Sequence, residues 1–370
     1  MPSLIPFSPF PKTMFTPTPF SLSTPKPLTP PPIHCCNNND NNNNNGVNPS
    51  MFPEKNSLYI PKKSLPPRPR RIILIRHGQS EGNVDENVYS QVPDPKIGLT
   101  EKGVVEAEEC GERIKKLIES DGVDDWQVYF YVSPYKRSID TLRGVGKAFD
   151  SSRIAGVREE PRLREQDFGN FQDREKMQLE KALRVLYGRF FYRFPDGESA
   201  ADVYDRITGF RETLRHDIDI GRFQPPGHRN PNVNLIIVSH GLTLRVFLMR
   251  WYKWTVEQFE GLNNFCNGGM IVMQTGYGGR YSLLVHHTRK ELKEFGLTEA
   301  MLTDQEWQKY AKPGELNYDC STTGPAFFTH FNSEDRKTVA WKSVIAKQFC
   351  YHGLVTKFSE STFKFLGGNA

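Results

Sequence analysis

Arg71-Ile72-Ile73-Leu74-Ile75-Arg76-His77-Gly78 is the stretch on which the architecture turns. Residues 71–75 read as a short apolar strand, and Arg76-His77-Gly78 as the turn that follows it. Working outward, Thr100 is suited to cap a helix whose apolar positions Ala107, Cys110, Ile114, Leu117 and Ile118 recur at helical spacing. Residues 127–132 form the next strand pattern, followed by a helix over about 135–149. Helical patterns also cover about 174–191 and 199–220. Residues 234–238 read as a further buried strand, ending in Ser239-His240-Gly241 and a helix to about 251. Residues 269–275 and 280–286, joined by Gly276-Tyr277-Gly278-Gly279, are a hairpin candidate. Strands alternating with helices predict an α/β protein, a three-layer α/β/α sandwich with a mostly parallel central sheet.

The chain has 370 residues and 37% hydrophobic content, enough for a sizeable core. Its net charge of +5 comes from residues 1–70, where seven Lys/Arg face only Asp40 and Glu54; the remainder balances at 41 basic and 41 acidic residues. A neutral domain without basic runs mixed with aromatics is not expected to bind nucleic acid. Six cysteines without CxxC spacing argue against a zinc site or a disulfide framework. No apolar run reaches the roughly 18 residues of a membrane span, so no membrane insertion is expected.

Residues 1–70 read as an N-terminal extension. The first 36 residues lack Asp and Glu, are rich in Ser, Thr and Pro, and contain no Arg, a composition that fits a chloroplast transit peptide. A merely disordered tail, and with it a cytoplasmic location, is the alternative. Residues 37–45 are Asn-rich and low in complexity, and the stretch to 70 reads as a linker. A catalytic domain is expected over 71–290 and a C-terminal extension over 291–370.

Two histidines share one setting, since Arg76-His77-Gly78 and Ser239-His240-Gly241 each follow a short apolar strand. In an open α/β sheet, reactive groups gather beyond the carboxyl ends of the strands, so both histidines are expected in one cleft. Gly78 and Gly241 are expected to let a ligand approach the backbone, and helix-terminal amides there favour an anion. Taken alone, either histidine reads equally as a hydrogen-bonded loop residue. Ser133-Pro134-Tyr135-Lys136-Arg137-Ser138-Ile139-Asp140-Thr141 follows the second strand, and Arg137 there, like Arg76, can fork two hydrogen bonds to a phosphoryl group. A solvated arginine at a helix start is its alternative. Leu163-Arg164-Glu165-Gln166-Asp167-Phe168-Gly169 offers two carboxylates as proton donors. Asp167 reads better as a capping carboxylate, and the pattern leaves Glu165 open between the two roles.

LIRHGQSEGN, SPYKRSIDT, LREQDFG, PDGES and SHG, in this order over residues 71–287, resemble the histidine phosphatase superfamily, also called phosphoglycerate mutase-like. The resemblance implies that fold. It implies His77 as the phosphorylated nucleophile, Arg76, Arg137 and His240 as the phosphate pocket, with Gly241 beside them, and Glu165 as proton donor. Asn83 is implied to line the pocket; otherwise it is an ordinary turn or N-cap residue. The partner implied is a small phosphorylated substrate, and neither metal nor cofactor is called for, because the arginines and His240 supply the positive charge.

The expected chemistry is in-line attack of His77 on phosphorus, protonation of the departing alcohol by Glu165, and hydrolysis of phospho-His77 by water activated by the same carboxylate. A free Glu titrates near ~4.3 and a free His near ~6.5, so protonated Glu165 and protonated His240 predict an acidic optimum. The short stretch 170–194 and the PDGES segment are similar to the phosphatase branch, described as broad-range acid phosphatases. A phosphoglycerate mutase is the alternative, and a phospho-ligand-binding scaffold the third reading, which no substituted catalytic position favours. Arg189 and Arg193 read better as solvated helix residues than as ligands of a second phosphate. His286 and His287 read as surface residues, and Trp251, Trp254 and Phe259 as core.

Overall fold

A computed structural model describes residues 66–169, 174–225 and 227–315. The expected transit peptide, the Asn-rich run, most of the linker and residues 316–370 lie outside the described residues. Strands β1 (Arg71–Arg76), β2 (Gln127–Val132), β3 (Ile154–Glu159), β4 (Val233–Ser239), β5 (Met270–Thr275) and β6 (Tyr281–Ser282) form one sheet in the order β3-β2-β4-β1-β5-β6. β1, β2, β3 and β4 run parallel, while β5 and β6 are antiparallel at one edge.

The two central strands, RIILIR and VNLIIVS, are apolar at consecutive positions because both their faces are covered. Ile72 and Leu74 of β1 point to one side, where they meet Val203, Ile207 and Phe210 of the helix Ala200–Ile220 and Leu244, Phe247 and Leu248 of the helix Gly241–Tyr252. Ile73 and Ile75 point to the other side. There they join Cys110, Ile114 and Ile118 of the helix Glu101–Glu119 and Val145 of the helix Lys136–Gly146. This period-two partition between two apolar layers makes the three-layer sandwich, each fully buried aliphatic side chain contributing about 1.5–3 kcal/mol.

The helix starts are locally encoded. Thr100 Oγ1 accepts the Gly103 amide at 3.1 Å, and Ser199 and Asp202 form a reciprocal capping box. Buried Arg71 opens β1 at the end of the sheet remote from the histidines, held by Asp121 through two bonds of 2.6 Å and by Gln274 at 2.9 Å.

Several expectations are corrected. The helix expected over about 174–191 spans Arg174–Tyr187, because Gly188 takes φ +106° and breaks it. The hairpin exists, but its second strand is only two residues long, since Ser282 Oγ accepts the Leu284 amide and turns the chain into a 3₁₀ turn. Strand β3 was not anticipated. It is an edge strand whose residues alternate between half-buried and exposed around Gly156, so it lacks an apolar run. Packing continues through the expected boundary at residue 290, for the helices Arg289–Phe295 and Glu299–Tyr310 and their connection add Leu292, Leu297, Met301 and Leu302 to the core. His287 is no free surface residue: its Nε2 accepts the Val272 amide at 2.9 Å, whereas His286 is exposed. Trp254 and Phe259 are core residues, as expected, and Trp251 packs against the same cluster.

Candidate active site

β1 and β4 are parallel neighbours with Arg76 opposite Ser239, so the residues that follow them leave the sheet side by side. The His77 amide donates to the Ser239 carbonyl at 3.0 Å, and the two imidazole rings lie edge to face with centroids 5.2 Å apart. Ser133, just beyond β2, donates its amide to the Val238 carbonyl at 3.0 Å. The segments carrying His77, His240 and Arg137 thus meet at the carboxyl ends of three adjacent strands.

His77 is 4% exposed, and its Nδ1 lies 2.8 Å from the Gly78 carbonyl. A carbonyl can only accept, so Nδ1 carries the hydrogen and the Nε2 lone pair is left without a partner among the described residues. Burial, reinforced by the Arg137 and Arg76 charges, pushes the His77 pKa well below 6.5, against a smaller upward push from the Gly78 bond. The ring is therefore neutral and fixed in orientation at neutral pH.

His240 is fully buried and is likewise held neutral, first by desolvation and then by Arg137 and His77. The expectation of a protonated His240 in the unliganded pocket is corrected accordingly. Its Nε2 lies 2.8 Å from Ser133 Oγ, which accepts the Tyr135 amide at 3.4 Å and so can donate its own hydrogen to Nε2. The neutral ring then carries its hydrogen on Nδ1, a buried atom with no partner among the described residues. A hydrogen-bond donor is available without a net charge.

The two depressed histidines also set the stability of the fold. In the unfolded chain each titrates near ~6.5, so between that value and the lower folded value the unfolded state binds more protons. Stability is expected to decline as pH falls through 6.5, by up to about 1.4 kcal/mol per pH unit for each histidine. Urea unfolding at successive pH values between 7 and 5 checks this. His240→Gln should flatten the slope, and an unchanged slope would count against a buried neutral ring.

Arg137 is 3% exposed, and its Nη1 donates to the Asp94 carboxylate at 2.7 Å and to the Asp94 carbonyl at 2.9 Å. Arg76 Nη1 donates to the Phe265 carbonyl at 2.6 Å, while its buried Nε has no partner among the described residues. Burial lowers the Arg76 pKa, with Glu165 acting in the opposite direction. Tyr135 packs edge to face on His240 and lies under the Arg137 guanidinium, 4.9 Å from its centre. Burial pushes the hydroxyls of both Tyr135 and Tyr89 up to about 12, with Arg137, Asp94 and Glu165 within electrostatic reach of each.

Glu165 is half-buried, and its Oε1 accepts the Gln166 amide at 3.0 Å and the Thr243 hydroxyl at 3.3 Å. The loop is tied to the sheet through Ser239 Oγ on the Leu163 carbonyl (2.6 Å) and to the next helix through Thr243 Oγ1 on the Arg164 carbonyl (2.8 Å). From below, Glu198 pairs with Arg164 and Arg206 and accepts the Asp167 amide, and Arg206 donates to the Glu165 carbonyl at 3.1 Å. Glu198, Arg206, Thr243, Ser133 and Thr141 were not singled out in the sequence. Thr141 holds the Gly78 amide at 3.1 Å, and the membership of Ser133, Thr141 and Glu198 in the SPYKRSIDT and PDGES segments was the available signal. Tyr89 and Asp94 lie in a stretch that shows no pattern.

Packing requires glycine at both positions. A Cβ on Gly78 would lie 2.3 Å from the Gly103 carbonyl oxygen, and one on Gly241 would lie 2.1 Å from Asn264 Oδ1. Asn83 is exposed, and its Oδ1 accepts the Ser80 amide at 3.1 Å in a helix cap. Asp167 is an exposed loop carboxylate that accepts the Gly169 amide at 2.8 Å. Arg189 and Arg193 lie beyond the end of the helix and are not free: Arg189 pairs with Glu260 at 3.1 Å and Arg193 with Asp202 at 2.5 Å.

Two histidines, two arginines and a carboxylate thus gather near the carboxyl ends of parallel strands. The sequence profile of the histidine phosphatase superfamily, branch 1, matches residues 72–288, and the chain belongs to that family. It is 53% identical over 272 residues to the phosphoglycerate mutase-like protein AT74 of Arabidopsis thaliana, covering 73% of this chain and 85% of that one. The broad-range acid phosphatase DET1 of Saccharomyces cerevisiae is 32% identical, covering 56% of this chain and 86% of its own. Among solved structures, a mycobacterial glucosyl-3-phosphoglycerate phosphatase covers 56% of this chain and 92% of its own at 23% identity, with a TM-score of 0.42.

Proposed function

We propose that the protein is a phosphomonoesterase that works through a phosphohistidine on His77 Nε2. The observation that carries this reading is the Nδ1 contact to the Gly78 carbonyl, which leaves an unpartnered Nε2 lone pair on a neutral ring flanked by two arginines. In-line attack of Nε2 on phosphorus expels the alkoxide, and Glu165 supplies its proton from the half-buried loop. Arg76, Arg137 and the Nδ1–H of His240 balance the charge on the equatorial oxygens. Water then attacks phospho-His77 with Glu165 as base, restoring the ring and releasing phosphate. Glu165 is half-buried rather than enclosed, which supports hydrolysis over a closed transfer cycle. The yeast relative described as an acid phosphatase supports the same choice. Asn83 and the Gly241 amide at the helix start are the further phosphate contacts in this reading. The acid-free, Ser/Thr/Pro-rich first 36 residues support a chloroplast location for the activity.

The mutase reading keeps one specific support, the mutase-like designation of the 53% identical Arabidopsis protein. A panel of phosphomonoesters including 3-phosphoglycerate, followed for both released phosphate and isomerised product from acidic to alkaline pH, separates the two. Phosphate release from several unrelated esters is the expected result. Isomerisation of 3-phosphoglycerate without release would replace the phosphatase by a mutase.

A further inference from the structure

Arg137 is anchored by two hydrogen bonds, and both come from a single residue that no motif contains. Asp94 lies between Pro93 and Pro95 and opens the 3₁₀ turn Asp94–Lys96, closed by the Lys96 amide on the Pro93 carbonyl at 2.8 Å. The flanking prolines restrict the backbone there. From this rigid turn Asp94 takes Nη1 of Arg137 with both its carboxylate (2.7 Å) and its carbonyl (2.9 Å), while the Tyr135 ring supports the guanidinium from its face at 4.9 Å. Nε and Nη2 of Arg137 have no hydrogen-bond partner among the described residues. These two parallel N–H groups are the edge of a guanidinium that takes two phosphoryl oxygens at once. One edge is anchored and the other is left open.

We propose that Asp94 is a positioning residue that holds the Arg137 guanidinium plane ready for the phosphoryl group and acts on the reaction only through that guanidinium. The proposal rests on the phosphoryl-transfer reading above. A free arginine carries rotamer entropy that binding must otherwise remove. Anchoring Nη1 beforehand moves that cost into folding, so the phosphoryl group meets an ordered fork. Because the anchor is a hydrogen bond to Oδ1, asparagine can replace the carboxylate in geometry, whereas alanine cannot.

The test uses the full chain, p-nitrophenyl phosphate as substrate and vanadate as probe of the phosphate pocket. Asp94→Ala is expected to raise KM and the vanadate inhibition constant about tenfold while kcat changes less, and Asp94→Asn to recover most of the loss. In an Arg137→Ala background, Asp94→Ala should add nothing further, since the two residues act as one unit. Should Asp94→Ala fail to fold, Asp94→Ser carries the same comparison. If Asp94→Ala matches wild type while Arg137→Ala is impaired, the role of Asp94 alone is overturned. Equal impairment of the Asn and Ala variants, or full additivity with Arg137→Ala, overturns it as well. Vanadate inhibition unchanged in Arg137→Ala would remove the phosphate-pocket reading and the proposal together.

Discussion

His77→Ala is expected to abolish turnover, with kcat falling about 10⁶-fold, the scale seen when a covalent nucleophile is removed. The substitution deletes a lone pair that is oriented, uncharged and unpartnered among the described residues, while Arg76 and Arg137, the proposed phosphoryl ligands, remain. Substrate affinity should therefore persist and be measurable by vanadate competition. Wild type quenched in alkali during turnover should retain a phosphoryl label that acid removes, the behaviour of a phosphohistidine, and the variant should retain none. A variant still within about 10²-fold of wild type would remove His77 as nucleophile, because electrostatic stabilisation by one residue already reaches that level. The ring contributes to the edge-to-face pair with His240, so circular dichroism and an unfolding midpoint should accompany the assay.

Glu165→Gln has the second largest expected effect, and its signature depends on the leaving group. Glutamine keeps an oxygen that can accept from the Gln166 amide and the Thr243 hydroxyl, so the loop is preserved while the transferable proton is lost. Alkyl phosphates, whose alkoxides need that proton, should lose about 10²–10⁴ in kcat. With p-nitrophenyl phosphate the first step survives, because nitrophenolate leaves unprotonated, but the second still lacks its base. Phospho-His77 should accumulate, seen as a burst of nitrophenolate equal to the enzyme concentration. Equal losses for both substrates without a burst would reduce Glu165 to a structural residue of the loop.

The pH behaviour expected from residue types alone needs revision in one respect. Reading His240 as a cation made its protonation a requirement for activity, yet burial beside Arg137 and His77 holds the ring neutral, and Ser133 leaves it a donor nitrogen without added charge. A low pKa at His77 keeps the proposed nucleophile unprotonated below pH 6.5, so activity on the acid side is compatible with two neutral histidines.

The sequence by itself determined the elements whose information is local. Consecutive apolar residues at 71–75 and 234–238 can only be satisfied by strands covered on both faces, and Thr100 and Ser199 carry their own helix starts. The order of the RHG, SPYKRSIDT, LREQDFG and SHG segments likewise named the histidines, arginines and glutamate that the fold gathers. What tertiary structure alone decided is everything that depends on a partner distant in the chain. Strand β3 exists because β2 offers it an edge, not because IAGVRE insists on being a strand. Gly78 and Gly241 are glycines because Gly103 and Asn264 press against them. The protonation of both histidines follows from burial, and the fixing of Arg137 from Asp94, 43 residues away; neither burial nor a contact at that separation has a signature in residue spacing.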